Sequence, residues 1–319
     1  MNMELLNSID DYIKQKRYRL VNSVIVYKNN ELVFERYYNK FNQNSKNNIK
    51  SIWKSILSIC TGICLDQGYI KSLDEPICKY LQEFNQNIHT YHKLITIRHL
   101  LTMASGIFWN GGIHYHCPML EQLWRSKNWL EHLADIAMAD VPGIKHVYKE
   151  WDVILLSAII SKVTGMDTYD FCNKYLYKPL EIQSGEWPIS LCGITYTTIA
   201  GKEENSDLSA RDLAKIGLLF LNNGIWNSTR IVSEEYINLA LTPSNYSIQA
   251  LTRTKLDKSY GFLWWLFDDG YACRGYGGQE INVLPKQNLV AVIQATPTSQ
   301  SKSYGDIFNE IIRKANKGY

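Results

Sequence analysis

The most informative run of the sequence is SIWKSILSICTGICLDQG, which spans residues 51–68. Its apolar side chains recur with the helical period, so it predicts an amphipathic helix with one strongly buried face. Ser51 stands where such a helix begins, and Gly68 stands where it ends. The apolar face consists of Ile52, Ile56, Ile59, Cys60 and Ile63. A helix this apolar needs a core around it, which the flanking sequence must supply.

Strand patterns lie at both ends of the chain. SVIVY (23–27) and ELVFERYY (31–38) predict a hairpin around the turn pair Asn29-Asn30, and the polar residues 39–48 predict a loop. Near the C-terminus, four short runs predict further strands, because they are rich in β-branched and aromatic residues and are separated by turn signals. These runs are YGFLWWLF (260–267), GYACRGY (270–276), GQEINVLP (278–285) and NLVAVIQAT (288–296).

Helical patterns fill the middle of the chain, over residues 73–180 and 209–224, and also cover 7–16 and 303–316. One sheet built from both termini, with helices inserted between its halves, explains this order. We therefore predict an α/β (α+β) fold and a single domain over 1–319. Its α/β part covers about 1–70 and 190–319, and a mostly helical insert covers about 71–189.

Composition excludes several classes of protein. The 319 residues carry a formal net charge of +3, which is too small to favour nucleic acid or a membrane surface as a partner. No apolar run is long enough for a secretory signal or a membrane span, so we expect a cytoplasmic protein, although a leader removed before residue 1 is an alternative. The odd number of cysteines, seven, favours reduced, mostly buried thiols.

The motif that carries chemistry is Ser51-Ile52-Trp53-Lys54. A serine hydroxyl needs a base to become a nucleophile, and a lysine three residues later lies on the same helix face. Burial and neighbouring cations lower the pKa of a lysine, which would suit it to that role. A second match, Ser299 with Lys302, lies in a polar tract and is interpreted as a solvated loop.

Other sites are less well supported by the sequence. His114 and His116 would point the same way in an extended segment, but no second Cys/His cluster with zinc-like spacing accompanies them, so ordinary loop residues are the alternative. There is no G-x-S-x-G elbow and no phosphate-binding P-loop. We therefore predict no metal and no cofactor.

The sequence around Ser51 resembles the nucleophile region of the serine β-lactamase and penicillin-binding protein superfamily. The resemblance is strongest to its class C-like branch, which includes esterases, D-amino-acid peptidases and small amide hydrolases. It continues in order through ITIRHLLTMASGI (95–107), PGIKHVYKEWDVILLSAIISKVTG (142–165) and LSARDLAKIGLLFLNNGIW (208–226) to GYGGQEINVLPKQNLVAVI (275–293). It implies a β-lactamase/transpeptidase-like fold and hydrolysis through a covalent acyl-enzyme.

The family's second motif, a tyrosine followed two residues later by asparagine, matches Tyr148-Lys149-Glu150. The resemblance implies that Tyr148 shares in proton transfer; the alternative is a structural tyrosine before a helix. Glu150 departs from the usual asparagine, at a position for which the resemblance implies contact with the substrate. It could hydrogen-bond Lys54, and its negative charge would raise the pKa of that lysine. We therefore expect poor turnover of classical β-lactams.

The third motif, typically Lys-Thr-Gly on a sheet-edge strand, matches Tyr276-Gly277-Gly278, for which a plain hairpin turn is the alternative. Without the lysine, one charge for docking a substrate carboxylate is lost. The paired glycines would let a substrate approach closely. The resemblance also implies an oxyanion hole formed by the backbone N–H groups of Ser51 and Gln279.

Trp109 would line the cleft under the same layout, or else pack in a core. The sequence thus predicts a serine hydrolase that acts on a small-molecule ester or amide. The alternative is a catalytically weak ligand-binding or sensor domain on the same fold. The sequence does not indicate the oligomeric state.

Overall fold

The computed structural model describes residues 1–86, 89–112, 117–197, 207–244, 247–248, 259–298 and 303–317. The strands in the described ranges are β1 (Val21–Lys28), β2 (Glu31–Tyr37), β3 (Lys46–Asn48), β4 (Lys145–His146), β5 (Asp207–Ser209), β6 (Ile225–Trp226), β7 (Thr229–Arg230), β8 (Ser247–Ile248), β9 (Ser259–Tyr260), β10 (Trp265–Phe267), β11 (Gly270–Gly275), β12 (Gln279–Leu284) and β13 (Leu289–Ala295).

The helices in the same ranges are α1 (Met3–Asn7), α2 (Ile9–Ile13), α3 (Ile52–Asp66), α4 (Glu83–Gln86), α5 (Ile97–Leu101), α6 (Pro118–Arg125), α7 (Trp129–Asp135), α8 (Trp151–Thr164), α9 (Thr168–Cys172), α10 (Ala210–Leu221), α11 (Glu234–Ala240) and α12 (Arg313–Lys317). Wider π turns cover Asn173–Tyr177 and Ile307–Ile312. Short 3₁₀ turns cover Lys16–Tyr18, Ile77–Lys79, Thr90–Leu94 and Pro285–Gln287.

A seven-stranded antiparallel sheet joins the two ends of the chain, in the order β2-β1-β13-β12-β11-β10-β9. The first hairpin turns at Asn29 and Asn30, whose φ angles of 53° and 64° are those of the tight turn that suits twisted strands. In β1, Ile25 lies opposite Val292 of β13 on one side and Glu35 of β2 on the other. The predicted fold class, with one sheet built from both termini, is confirmed.

Both faces of the sheet are buried, and alternate residues of each strand serve opposite faces. Val24 and Val26 of β1 pack on the layer that contains α1 and the C-terminal helical segment. Ile25 packs in the larger core, which contains α3, α8 and α10. This alternation follows from the two-residue repeat of a strand. It places α3, and therefore Ser51, in the larger core.

Three local predictions were wrong. The helix predicted at 7–16 begins earlier and breaks at Ser8, whose hydroxyl donates to the carbonyl of Leu5 at 2.6 Å. The predicted loop 39–48 contains β3, which pairs with β5. The run 260–267 is divided between β9 and β10 at Leu263, whose φ of 63° interrupts the extended backbone. The boundaries near residues 70 and 190 stay predictions.

The cysteine thiols are free, and five of the seven are buried. Cys60 and Cys64 lie fully inside the larger core, as the helical spacing predicts. Among the described residues, no helix is both long enough and apolar enough to cross a bilayer. The predicted helix from 51 to 68 is confirmed, since α3 begins after Ser51 and Gly68 follows its end with a φ of 75°.

Gly217 of α10 faces the sheet so closely that an added Cβ would lie 2.6 Å from Val290 Cγ1 and 2.8 Å from Ile281 Cγ2. Replacing a helical glycine with alanine normally stabilises by about 0.5–1 kcal/mol, whereas overpacking costs about 1–3 kcal/mol. We therefore expect Gly217→Ala to lower the free energy of unfolding by roughly 1–2 kcal/mol. Urea denaturation measures it, and a stabilised variant would show that the helix can shift away from the sheet.

Candidate active site

The N-terminus of α3 places Ser51 at the base of the site. Lys50 has a φ of 52°, an uncommon backbone conformation for a non-glycine residue, and its N–H is held by the side chain of Asn48 at 2.9 Å. The backbone N–H of Lys54 then donates to the carbonyl of Ser51 at 3.1 Å, which starts the helix. Trp53 is fully buried and anchors this turn. Ser51 is 7% exposed, so this position is largely shielded from bulk water.

Lys54 lies one helical turn above Ser51, and its Nζ donates to the Ser51 Oγ at 3.1 Å. The ring centroid of Tyr148 is 5.2 Å from the same Nζ. Burial raises the pKa of the Tyr148 phenol and Glu150 reinforces this, whereas the Lys54 cation and hydrogen bonds from Ser51 and Lys54 oppose it. The structure thus brings together the three residues for which the sequence predicts catalytic roles, and the phenol is protonated at neutral pH.

Glu150 closes the site behind Lys54. Its Oε1 accepts from Lys54 Nζ at 2.9 Å, and its Oε2 lies 2.8 Å from the same nitrogen without hydrogen-bond geometry. The side chains are 2% and 3% exposed, so this ion pair is isolated from water. Burial lowers the pKa of Lys54, but Glu150 and Tyr148 outweigh it and the net direction is upward. Lys54 is therefore a cation, and Glu150, predicted to bind substrate, is occupied by Lys54.

A buried polar network that the sequence analysis missed holds the segment with Tyr148 and Glu150. Lys149 points away from Ser51, and its Nζ donates to Ser105 Oγ at 3.2 Å and to the carbonyl of Ile107 at 3.1 Å. The Ser105 hydroxyl donates to Asp152 Oδ1 at 2.6 Å. Burial lowers the pKa of Lys149 and raises that of Asp152. The available signal was three charged residues, Lys149, Glu150 and Asp152, at the start of an otherwise apolar helix.

Two aromatic rings position Tyr148 from the sheet side. Trp265 of β10 stacks on it with ring centroids 5.9 Å apart at 18°, and Tyr260 of β9 meets it edge-on at 6.4 Å. The sequence analysis assigned both rings to strands without linking them to the site. β10 lies next to β11 and β9 lies next to β10, so the end of the sheet forms one wall around Tyr148.

Tyr276, Gly277 and Gly278 form the turn between β11 and β12, with glycine φ angles of 84° and 92°. The expectation of a sheet-edge strand is wrong, because β10 and β9 extend the sheet beyond β11. The Tyr276 hydroxyl donates to the carbonyl of Thr298 at 2.7 Å. The residue before this turn lies close to the segment that leads into Ser51, since a Cβ on Gly275 would lie 2.2 Å from the carbonyl oxygen of Ile49.

Gln279 is the first residue of β12 and pairs with Gly275. Its side chain is fully buried and its Nε2 donates to the carbonyl of Ala295, so only its main chain is available on the β11–β12 turn. The oxyanion-hole role of its N–H stays a prediction.

Trp109 contacts the segment that carries Glu150. Its ring meets Trp151 edge-on with centroids 4.7 Å apart, and Trp151 Nε1 donates to the carbonyl of Phe108 at 3.1 Å. His114 and His116 lie outside the described residues. Within the described part of the chain, no cluster of three or more His, Cys, Asp or Glu side chains could hold a metal ion.

Comparison with known proteins agrees with this fold. The chain belongs to the Beta-lactamase family, whose pattern it matches over residues 9–308. It is 25% identical to an uncharacterized protein of Alkalihalophilus pseudofirmus, with 92% of this chain and 90% of that protein covered. It is 20% identical to the 6-aminohexanoate-dimer hydrolase of Paenarthrobacter ureafaciens, with 84% and 70% covered.

Among solved structures, it resembles the octameric penicillin-binding protein homologue from Pyrococcus abyssi. The TM-score is 0.76 at 18% identity, with 98% of this chain and 78% of that chain covered. At this identity the likeness concerns the fold. The predicted resemblance to the β-lactamase and penicillin-binding protein superfamily is confirmed.

The Lys149 network gives a stability prediction. Lys149→Met removes a buried cation with its two hydrogen bonds and leaves the Asp152 carboxyl without the positive charge that lowers its pKa. We expect the free energy of unfolding to fall by about 2–3 kcal/mol, as measured by urea denaturation. Adding Asp152→Asn to that variant should restore part of the loss. Equal stabilities of wild type and Lys149→Met would show that the network is not a structural support.

Proposed function

We propose that the protein is a serine hydrolase that cleaves a small ester or neutral amide through an acyl-enzyme on Ser51. The observation that carries the proposal is the 3.1 Å contact between Ser51 Oγ and Lys54 Nζ in a site shielded from bulk water. A hydroxyl held against an ionisable base, itself oriented by a further group, is the arrangement that nucleophilic catalysis requires. Here the orienting groups are Tyr148 and Glu150.

In the first half-reaction the Ser51 oxygen attacks the substrate carbonyl carbon, and the hydroxyl proton leaves to the Lys54–Glu150 pair, which together can take up one proton. The backbone N–H groups of Ser51 and Gln279 stabilise the negative charge that forms on the carbonyl oxygen. Tyr148, a protonated phenol, supports proton delivery to the leaving alcohol or amine. In the second half-reaction water takes the place of the leaving group and releases the acid.

The substrate class follows from the wall of the cleft. Tyr276 stands where the family has a lysine, and its hydroxyl is engaged by Thr298. That position offers no positive charge to a substrate carboxylate, so a neutral acyl group suits it. Trp109 supplies an aromatic surface for that group. The relative named as a 6-aminohexanoate-dimer hydrolase supports amides as a second substrate type.

The test of the nucleophile uses a p-nitrophenyl ester and a fluorophosphonate. Wild type should hydrolyse the ester and gain the mass of the phosphonyl group, and Ser51→Ala should do neither. Ser58→Ala is the matched control, because this buried serine of the same helix contacts Tyr236 at 3.1 Å and should react as wild type does. Equal ester turnover by wild type and Ser51→Ala would rule out the proposal.

The rival function is a ligand-binding or sensor domain, and the Lys54–Glu150 ion pair favours it, because a lysine held as a cation is a poor base. It predicts an adduct with penicillin or an ester that forms at Ser51 and never hydrolyses. Intact mass recorded over several hours separates the two functions. Loss of the adduct with return of free enzyme supports the hydrolase, and a permanent adduct supports the sensor.

Trp109 is expected to select the acyl group. Trp109→Ala removes an aromatic surface, so KM for a long-chain p-nitrophenyl ester should rise about tenfold, with a smaller change for the acetyl ester. Trp226→Ala, a change in the β6–β7 hairpin, is the control and should leave both KM values unchanged. Equal effects of Trp109→Ala on the two esters would show that this ring does not contact the acyl chain.

A further inference from the structure

Lys54 lies between a hydroxyl and a carboxylate, and this placement suggests more than a lysine base. On one side its Nζ is 3.1 Å from Ser51 Oγ, and on the other it is 2.9 and 2.8 Å from the two oxygens of Glu150. The Ser51 proton can thus reach Glu150 by two short transfers through a single nitrogen. This inference rests on the proposed function, because it concerns how Ser51 becomes a nucleophile.

We propose that Glu150 is the final acceptor of the Ser51 proton, reached through Lys54. Lys54 first passes one of its three protons to a Glu150 oxygen and becomes a neutral amine. As the Ser51 oxygen then forms its bond to the carbonyl carbon, its O–H bond breaks and the proton moves to the free electron pair of Lys54 Nζ. Lys54 ends as an ammonium, Glu150 ends as a neutral acid, and the negative charge lies on the carbonyl oxygen. Reversing the relay protonates the leaving group.

The exclusion of water from the Lys54–Glu150 pair lowers the free-energy cost of this proton transfer. In water an ammonium and a carboxylate hold their charges firmly, but burial of both groups penalises the charged forms. Moving a proton from Lys54 to Glu150 removes both charges from an environment where the side chains are only 2–3% exposed. The Ser51 hydroxyl then meets a neutral amine at 3.1 Å instead of a cation.

The other groups around Glu150 do not compete for the proton. Tyr148 precedes α8, the helix at whose N-terminus Glu150 stands, Cys117 precedes α6, and Tyr260 belongs to β9. Besides burial, the negative charge of Glu150 contributes to raising the pKa of each. Burial raises the pKa of all three, so each is neutral and already protonated at neutral pH. Lys54 of α3 is the group that carries the opposite charge. Lys149 and Asp152, on the same segment as Glu150, are engaged with Ser105.

The decisive variant is Glu150→Gln, which keeps the shape of the side chain and removes its capacity to accept the proton. We expect the rate of fluorophosphonate labelling and kcat for the p-nitrophenyl ester each to fall at least about 100-fold, with KM nearly unchanged. Glu150→Asp keeps a carboxylate and should retain more activity than Glu150→Gln. If Glu150 merely holds Lys54 as a cation, Glu150→Gln would react faster than wild type, and that result would overturn the relay.

Wild-type protein provides a second test that does not depend on the folding of a variant. With Glu150 as acceptor, the labelling rate should be level from about pH 7 to about pH 10, because the pair keeps one acceptor throughout. With free Lys54 as the base, the rate should rise tenfold per pH unit up to the raised pKa of Lys54. A rate that climbs steadily across this range would contradict the relay.

Two controls keep the outcomes separate. Glu35→Gln removes a carboxylate that pairs with Arg211 at 2.7 and 2.8 Å on the outer hairpin, and it should label as wild type does. Ser51→Ala tests the nucleophile itself. A Ser51→Ala variant that still hydrolyses the ester rejects the proposed function, whereas an inactive Ser51→Ala beside a fully active Glu150→Gln rejects the relay alone.

Discussion

A carboxylate and an ammonium share the interior beside Ser51, and neither reaches bulk water. Removing two charges from water is expensive, and their mutual attraction compensates only when the geometry is good and other polar groups assist. Here Lys54 also donates to Ser51, and Glu150 stands at the N-terminus of α8. The pair therefore ties two buried helices together at the point where Ser51 must stay reactive.

The supports of this pair come from distant parts of the chain, which explains what the sequence could and could not show. The helix after Ser51 was predictable because its apolar residues are numerous and recur with the helical period over a short stretch of sequence. The types of residue at 148 and 150 were also visible. The direction in which the Lys149 side chain points was not visible. Its partner Ser105 lies in a loop that comes close to Lys149 only because α5 packs on α8. Such contacts carry no periodic signal in the sequence.

The sheet shows the same division. Its long central strands are mostly apolar runs rich in β-branched residues and bounded by turn signals, which strand reasoning finds readily. The short strands β9 and β10 break at Leu263, so the sequence does not reveal that they extend the sheet past β11. Because of this extension, Tyr276-Gly277-Gly278 forms a turn between two internal strands and not at the edge of the sheet. It also brought Tyr260 and Trp265 against Tyr148, a contact between residues more than a hundred positions apart in the chain.

The pairing of β1 with β13 has a consequence for how this chain folds on the ribosome. Ile25 is synthesised 267 residues before its partner Val292 (292 − 25). Until then, one edge of the first hairpin exposes unsatisfied backbone groups and β-branched side chains, a surface that promotes association between nascent chains. Sheet closure with so long a sequence separation is also slow. Folding yield should therefore depend on translation speed and on chaperones that shield the first hairpin.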